Sequence, residues 1–136
     1  MAFDLKTLPN GLRIIGEHMP GYRSVAVGLW VESGSQYETP SENGVSHFIE
    51  HMLFKGTEKR SARDIAEEMD AVGGQLNAFT SKECTCFYAK VVDEHLPLAM
   101  DVISDLVLSS RLDPADIERE KGVVIEEINM AEDTPE

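Results

Sequence analysis

The chain is poor in cysteine, in positive charge and in long apolar runs, and each shortage excludes something. Only Cys84 and Cys86 occur among its 136 residues. Two apart in an alternating stretch, they would share one face of a strand and be too constrained for an easy disulfide. Two thiolates cannot close a zinc knuckle alone. They are expected to be packing residues in a reducing compartment. Lysine and arginine number 12 against 25 acids, a formal charge of −13. Nucleic acid and anionic membranes would repel such a chain, so neither is an expected partner. No apolar run reaches the roughly 20 residues of a membrane helix. The opening Met1-Ala2-Phe3-Asp4-Leu5-Lys6 has neither a secretory apolar region nor an Arg-rich transit pattern. The expected location is cytoplasmic. What is present is a globular composition, 42% hydrophobic, on a length that buries roughly two-thirds of its surface when folded.

Periodicity divides the chain into strands and helices. Phe3 to Thr7 and Leu12 to Met19 flank Leu8-Pro9-Asn10-Gly11, where the Asn-Gly pair would supply the positive-φ residues of a hairpin. Ser24 to Glu32 is apolar on both faces and is expected to be a central strand. A polar loop, Ser33 to Gly44, leads into helical spacing from Val45 to Lys55, stopped by Gly56. Ser61 opens a second helix, with Asp64 completing an imperfect capping box, and Gly73-Gly74 follows it. Gln75 to Thr80 and Cys84 to Val92 read as strands, and His95 to Ser109 as a helix. Asp113-Pro114 starts the last helix, which runs to about Met130. Hairpins first and helices after predict an α+β domain, an antiparallel sheet packed against helices.

The informative stretch is Ser46-His47-Phe48-Ile49-Glu50-His51. Four apart on a helix, His47 and His51 stack on one face and can meet one metal ion. Glu50 flanks that face, where its carboxylate can take a proton from water without being a ligand. This H-x-x-E-H order is the inverzincin signature. Val45, Phe48, Ile49, Met52 and Leu53 form an apolar stripe beside the histidines, so the polar groups of a buried helix need a partner. A catalytic zinc takes three protein ligands. The last helix offers Glu120, Glu126 and Glu127. Glu120 and Glu127 are two turns apart and share a face, whereas Glu126 points about 100° away. Spacing does not choose between the two that share a face.

These residues resemble the pitrilysin/insulysin and mitochondrial-processing-peptidase superfamily of zinc metallopeptidases. There, H-x-x-E-H is followed some 76 residues on by a ligand glutamate, in a helix of the form E-x-x-x-x-x-x-E, and His51 to Glu127 is that interval. Leu5-Asn10-Gly11-Leu12, Gly34-Ser35 and Gly73-Gly74-Gln75-Leu76-Asn77-Ala78-Phe79-Thr80 match as well, so the likeness runs along essentially the whole chain. The resemblance implies Zn2+ held by His47, His51 and Glu127, with Glu50 as general base. Glu120 becomes a supporting catalytic acid beside the metal. It further implies a LuxS/processing-peptidase-like domain, of which residues 1–136 are the N-terminal catalytic zinc-binding portion. The family's substrate lies as an added strand along a sheet edge, here Asn77, Ala78 and Phe79.

The activity so implied is zinc-dependent endopeptidase cleavage of peptides or unfolded segments. The competing reading is a metal-binding, non-catalytic subunit that presents substrate. Family members enclose substrate in a clamshell, so a second half, or a homo- or hetero-dimer partner, is expected. The chain is expected to be truncated just after its last ligand. The lack of a transit pattern favours a bacterial cytoplasmic homologue over one of the mitochondrial matrix. Acidity is concentrated where the metal would sit, since Asp113 to Glu136 holds nine acids and two bases.

Overall fold

The structure, a computed structural model, describes residues 3–133. Nine main elements follow in chain order: β1 (Asp4–Thr7), β2 (Arg13–Gly16), β3 (Ser24–Val31), α1 (Val45–Leu53), α2 (Ala62–Ala71), β4 (Gln75–Thr80), β5 (Thr85–Val92), α3 (Leu96–Leu108) and α4 (Pro114–Asp133). The α+β class with antiparallel pairing is as expected from the sequence.

Strands β1 and β2 form a separate two-stranded ribbon. Its turn differs from the expected Asn-Gly type. Gly11 alone takes positive φ, at +92°, because the loop, Leu8 to Leu12, has five residues, closed by Gly11 N–H to Leu8 O and Leu8 N–H to Leu12 O. Asn10 uses its side chain instead, accepting from the Leu12 N–H at 3.0 Å.

The main sheet has order β3-β5-β4. The expectation that β3 would be central is therefore corrected: β5 takes the middle and β3 an edge. Apolar residues on both faces made β3 look fully covered, yet one of its faces carries Trp30, 64% exposed. Strand β5 is the better-buried element, with Cys86, Phe87, Ala89 and Val91 inside. Cys86 is buried and Cys84 half-buried, both as free thiols. Burial pushes the Cys86 thiol up to about 11, so it packs as a small apolar side chain.

Register explains which face holds the core. Val27 and Leu76 both pair with Ala89, and Leu29 and Ala78 both pair with Phe87. With side chains alternating in direction, these six point to one face, where they meet Leu53, Ile65, Met69, Ala99, Val102, Ile103 and Leu106 from the helices. Completely buried side chains such as Leu106 each contribute about 1.5–3 kcal/mol. Helices α1, α2 and α3 therefore cover one side of the sheet, and α4 packs on α1.

Helix α1 ends two residues before the expected Lys55, with Phe54 as C-cap. Gly56, at φ +132°, is drawn into a bridge with Ser61 instead. Ser61 caps α2 reciprocally with Asp64 as anticipated, at 3.0 and 2.9 Å.

Candidate metal centre

Helix α1 is preceded by Gly44 as N-cap, whose φ of +90° turns the chain into the helix without a side-chain cap of its own. The free N–H groups of its first turn are met from outside. Glu38, in the loop before it, accepts from Gly44 N at 2.9 Å and Ser46 N at 2.7 Å. Partial burial works to raise the Glu38 pKa, but the N–H donors of Ser46 and Gly44 outweigh it and hold the carboxyl below its ordinary range. That loop is itself pinned where Gly34 lies against the turn between β4 and β5. A Cβ on Gly34 would sit 2.5 Å from the carbonyl oxygens of Ser81 and Lys82, which the neighbouring Ser35 and Gln36 N–H groups approach at 3.1 and 3.0 Å.

With its start fixed, α1 divides by face. Met52 and Leu53 enter the core, while His47 and His51 are directed to α4. Helix α4 is started by Asp113, whose Oδ1 accepts from Ala115 N at 2.8 Å. The stripe Glu120, Val124, Glu127 then meets α1: Val124 and Glu120 are 5% and 6% exposed, and Glu127 lies nearer solvent.

Three atoms converge between the two helices. His47 Nε2 and His51 Nε2 are 3.2 Å apart. Glu127 Oε2 lies 3.1 Å from each. Donors at roughly 2.0–2.1 Å from a tetrahedral zinc stand about 3.3–3.4 Å from one another, so the triangle is close to the required size. Two imidazoles and one carboxylate are also a donor set that zinc accepts, leaving one position open. The residues present fit the ion.

Around the triangle, Glu120 and Glu50 are held by further contacts. Glu120 Oε2 is 3.1 Å from His51 Nδ1, and Glu120 Oε1 is 2.8 Å from Lys55 Nζ. Burial would push the Glu120 carboxyl up, but Lys55 and then His51 hold it below the usual range. Glu50 receives the Thr80 hydroxyl on Oε2 at 2.5 Å. Thr80 can reach because it lies on the same strand face as Leu76 and Ala78, under α1.

A cleft of about 280 Å³ opens beside these groups, lined by Glu50, His51, Phe54, Lys55, Leu76 and Asn77. Of the strand residues singled out by sequence, Asn77 borders it, and Ala78 is half-buried beneath. Phe79 turns to the opposite sheet face, where its ring lies 6.1 Å from that of Tyr88. Thr80, Lys55, Phe54 and Leu76 were not anticipated. A signal existed for Thr80, two residues after Ala78, and for Lys55, four after His51.

Comparison with known proteins shows the family of the chain. Residues 13–136 match the family described as insulinase (peptidase family M16). A Bacillus subtilis protein named as an uncharacterised zinc protease is 56% identical over 130 residues, covering 96% of this chain and 32% of that relative. A Streptomyces coelicolor protein, also named as a zinc protease, is 54% identical across 95% of this chain and 28% of its own length. The beta subunit of the rat mitochondrial-processing peptidase is 46% identical over 125 residues, covering 92% of this chain and 25% of that relative. The chain thus spans about a third or less of the length of the curated relatives it matches. No helix among the described residues is long and apolar enough to cross a membrane. From the extent of the family match, the chain belongs to the insulinase family of peptidases, family M16.

Proposed function

We propose that this chain is the N-terminal catalytic portion of a zinc-dependent endopeptidase, with His47, His51 and Glu127 as ligands and Glu50 as general base. The observation that carries the reading is the convergence of two imidazole nitrogens and one carboxylate oxygen within 3.1–3.2 Å, from two helices. Glu50 precedes a ligand directly yet stands outside the triangle, as a base must.

Zinc, when bound, supplies Lewis-acid polarisation of the scissile carbonyl and acidifies water at the open position. The chain's own residues do the rest. Thr80 holds one oxygen of Glu50, which fixes the carboxylate plane and leaves the other oxygen to take a proton from the attacking water. The same oxygen returns it to the departing amine. Glu120 orients the His51 ring through Nδ1, so that Nε2 keeps its lone pair for a metal.

Substrate is proposed to add as a strand to the β4 edge, which has no neighbour beyond it in the sheet among the described residues. The Ala78 N–H there is taken up by Asn77 Oδ1 at 2.8 Å, a local contact that an incoming carbonyl would replace. Phe79 stands on the far face of the sheet and contributes through its backbone. Further polypeptide, either more of the same protein or a second subunit, is proposed to close over the bound peptide.

The test uses the protein at its native length. Metal analysis is expected to give one zinc per site, and a quenched peptide is expected to be cleaved. Glu50→Gln should retain the zinc and reduce turnover by about 10²–10⁴-fold, the range of general acid–base contributions. Cleavage at near the parent rate by that variant would remove Glu50 from the mechanism. Zinc binding without cleavage by the parent would favour the substrate-presenting subunit.

A further inference from the structure

Lys55 lies outside the ligand triangle, and neither the family resemblance nor the motif gives it a task. Its ammonium lies 2.8 Å from Glu120 Oε1, and the other oxygen of that carboxylate meets His51 Nδ1 at 3.1 Å. Together these contacts run from Lys55 through Glu120 to a ring whose far nitrogen belongs to the triangle. We infer that Lys55 is a positioning residue for the metal, holding Glu120 so that His51 presents Nε2 in the ligand tautomer and orientation. This inference rests on the zinc reading above.

Three observations support it. First, Glu120 is almost fully buried, and a buried carboxylate is tolerated only where its oxygens are paired. Lys55 supplies the pair for one oxygen and leaves the second for the ring. Second, Lys55 comes from the residues just after α1, tied back by Lys55 N–H to Met52 O at 3.1 Å, so its backbone is held in register with His51. The side chain is partly exposed, 38%, and its ammonium crosses to α4. Third, the chain of contacts joins the two helices that supply the ligands, so the same pair that orients the ring also sets their spacing. Phosphate or substrate carboxylate binding is a weaker role for Lys55, although it borders the cleft, because its ammonium is already committed to Glu120.

The closing experiment measures zinc affinity by competition with a fluorescent chelator at fixed pH, in the protein at native length. Lys55→Met is expected to weaken zinc about tenfold, the lower end of the roughly 10–100-fold that loss of an outer partner of a ligand costs. Lys55→Arg, which can still donate to Glu120, should recover most of that loss. In a Glu120→Gln background, Lys55→Met should add less than about twofold, since the two residues act through one path. Melting of the metal-free protein should also fall in Lys55→Met, because the buried Glu120 carboxylate loses its cation, and Lys55→Arg should restore it. Unaltered zinc affinity in Lys55→Met would overturn the inference, and so would full additivity with Glu120→Gln. A raised KM with zinc affinity intact would also overturn it, moving Lys55 to the substrate. Failure of the parent protein to bind zinc would instead remove the zinc reading itself.

Discussion

Two clusters of ionisable side chains lie among the helices on the same side of the sheet, and they solve the burial of carboxylates differently. In the first, Arg60 reaches three acids: Glu68 at 2.5 Å, Asp101 at 2.6 Å and Asp105 at 3.0 Å. Thr57 donates to Asp105 at 2.6 Å, and Lys59 approaches Asp101 at 3.5 Å. Burial works against the Arg60 charge, but Asp101, Glu68 and Asp105 together raise its pKa. Cations of the protein's own nearly balance the acids, and every fork of the guanidinium is used. In the second cluster, Glu50, Glu120 and Glu127 surround two imidazoles with a single ammonium, that of Lys55. Counting the histidines as neutral, two negative charges remain. The proposed zinc would balance them, at the triangle of the two Nε2 atoms and Glu127 Oε2. The first cluster is therefore self-contained, which is how a structural network is built. The second is matched to an ion.

The largest expected effects separate the two clusters outright. Glu127→Ala should lose zinc by more than the roughly 10–100-fold associated with an outer partner, because it removes a proposed ligand. The metal-free protein should melt as the parent does, since Glu127 is half exposed. Chelator-competition titration and calorimetry read the two halves, and full zinc retention would strip Glu127 of its role. Arg60→Met should do the reverse. Leaving the buried Asp105 with the Thr57 hydroxyl but without its cation should destabilise the fold by about 3 kcal/mol, visible as a lower denaturant midpoint. Protein that remains folded should still take one zinc. A loss of zinc at constant stability would show that the clusters are coupled and the contrast between them false.

Much of this was legible because helical periodicity is local. His47 and His51 share a face wherever an α-helix forms, and Glu120 and Glu127 do likewise two turns apart. The capping box at Ser61 and the N-cap at Asp113 are likewise written within a few residues. Strand order was not legible, since an apolar face on β3 says only that something covers it, and β5 returns to the middle from a later part of the chain. Nor was the turn at Asn10, where loop length overrode the Asn-Gly preference. Lys55 and Thr80 escaped notice for a third reason. Each acts across a gap between elements, on Glu120 of α4 and Glu50 of α1, and such pairs exist only once the packing is known. Helical spacing alone likewise left Glu120 and Glu127 as equivalent positions of one stripe, and only the family interval pointed to Glu127. In the fold, Glu120 faces Lys55 and the outer nitrogen of His51, whereas Glu127 faces both inner nitrogens.

Glu38 sharpens the comparison in a smaller way, as a carboxylate balanced neither by cations nor by a metal. Its partners are the N–H groups of Gly44 and Ser46, at the positive end of the helix that carries both histidines. Its pKa in the folded protein is depressed, the N–H donors outweighing burial. A depressed folded value means that the stabilisation is complete above the unfolded carboxyl pKa, roughly 4.3. It is then lost as pH falls through the folded value. Glu38→Gln keeps the shape but removes the charge. Thermal melting of the metal-free parent and variant should therefore differ most near neutral pH, with the variant lower by a few degrees at most. The gap should close as pH falls below about 4, where the parent carboxyl also becomes neutral. Because protons compete for ligands, the comparison is made without zinc, which leaves the carboxyl at the helix start as the group that changes between the two proteins. A gap independent of pH would mean that Glu38 acts through its packing alone, and that backbone N–H groups do not balance its charge.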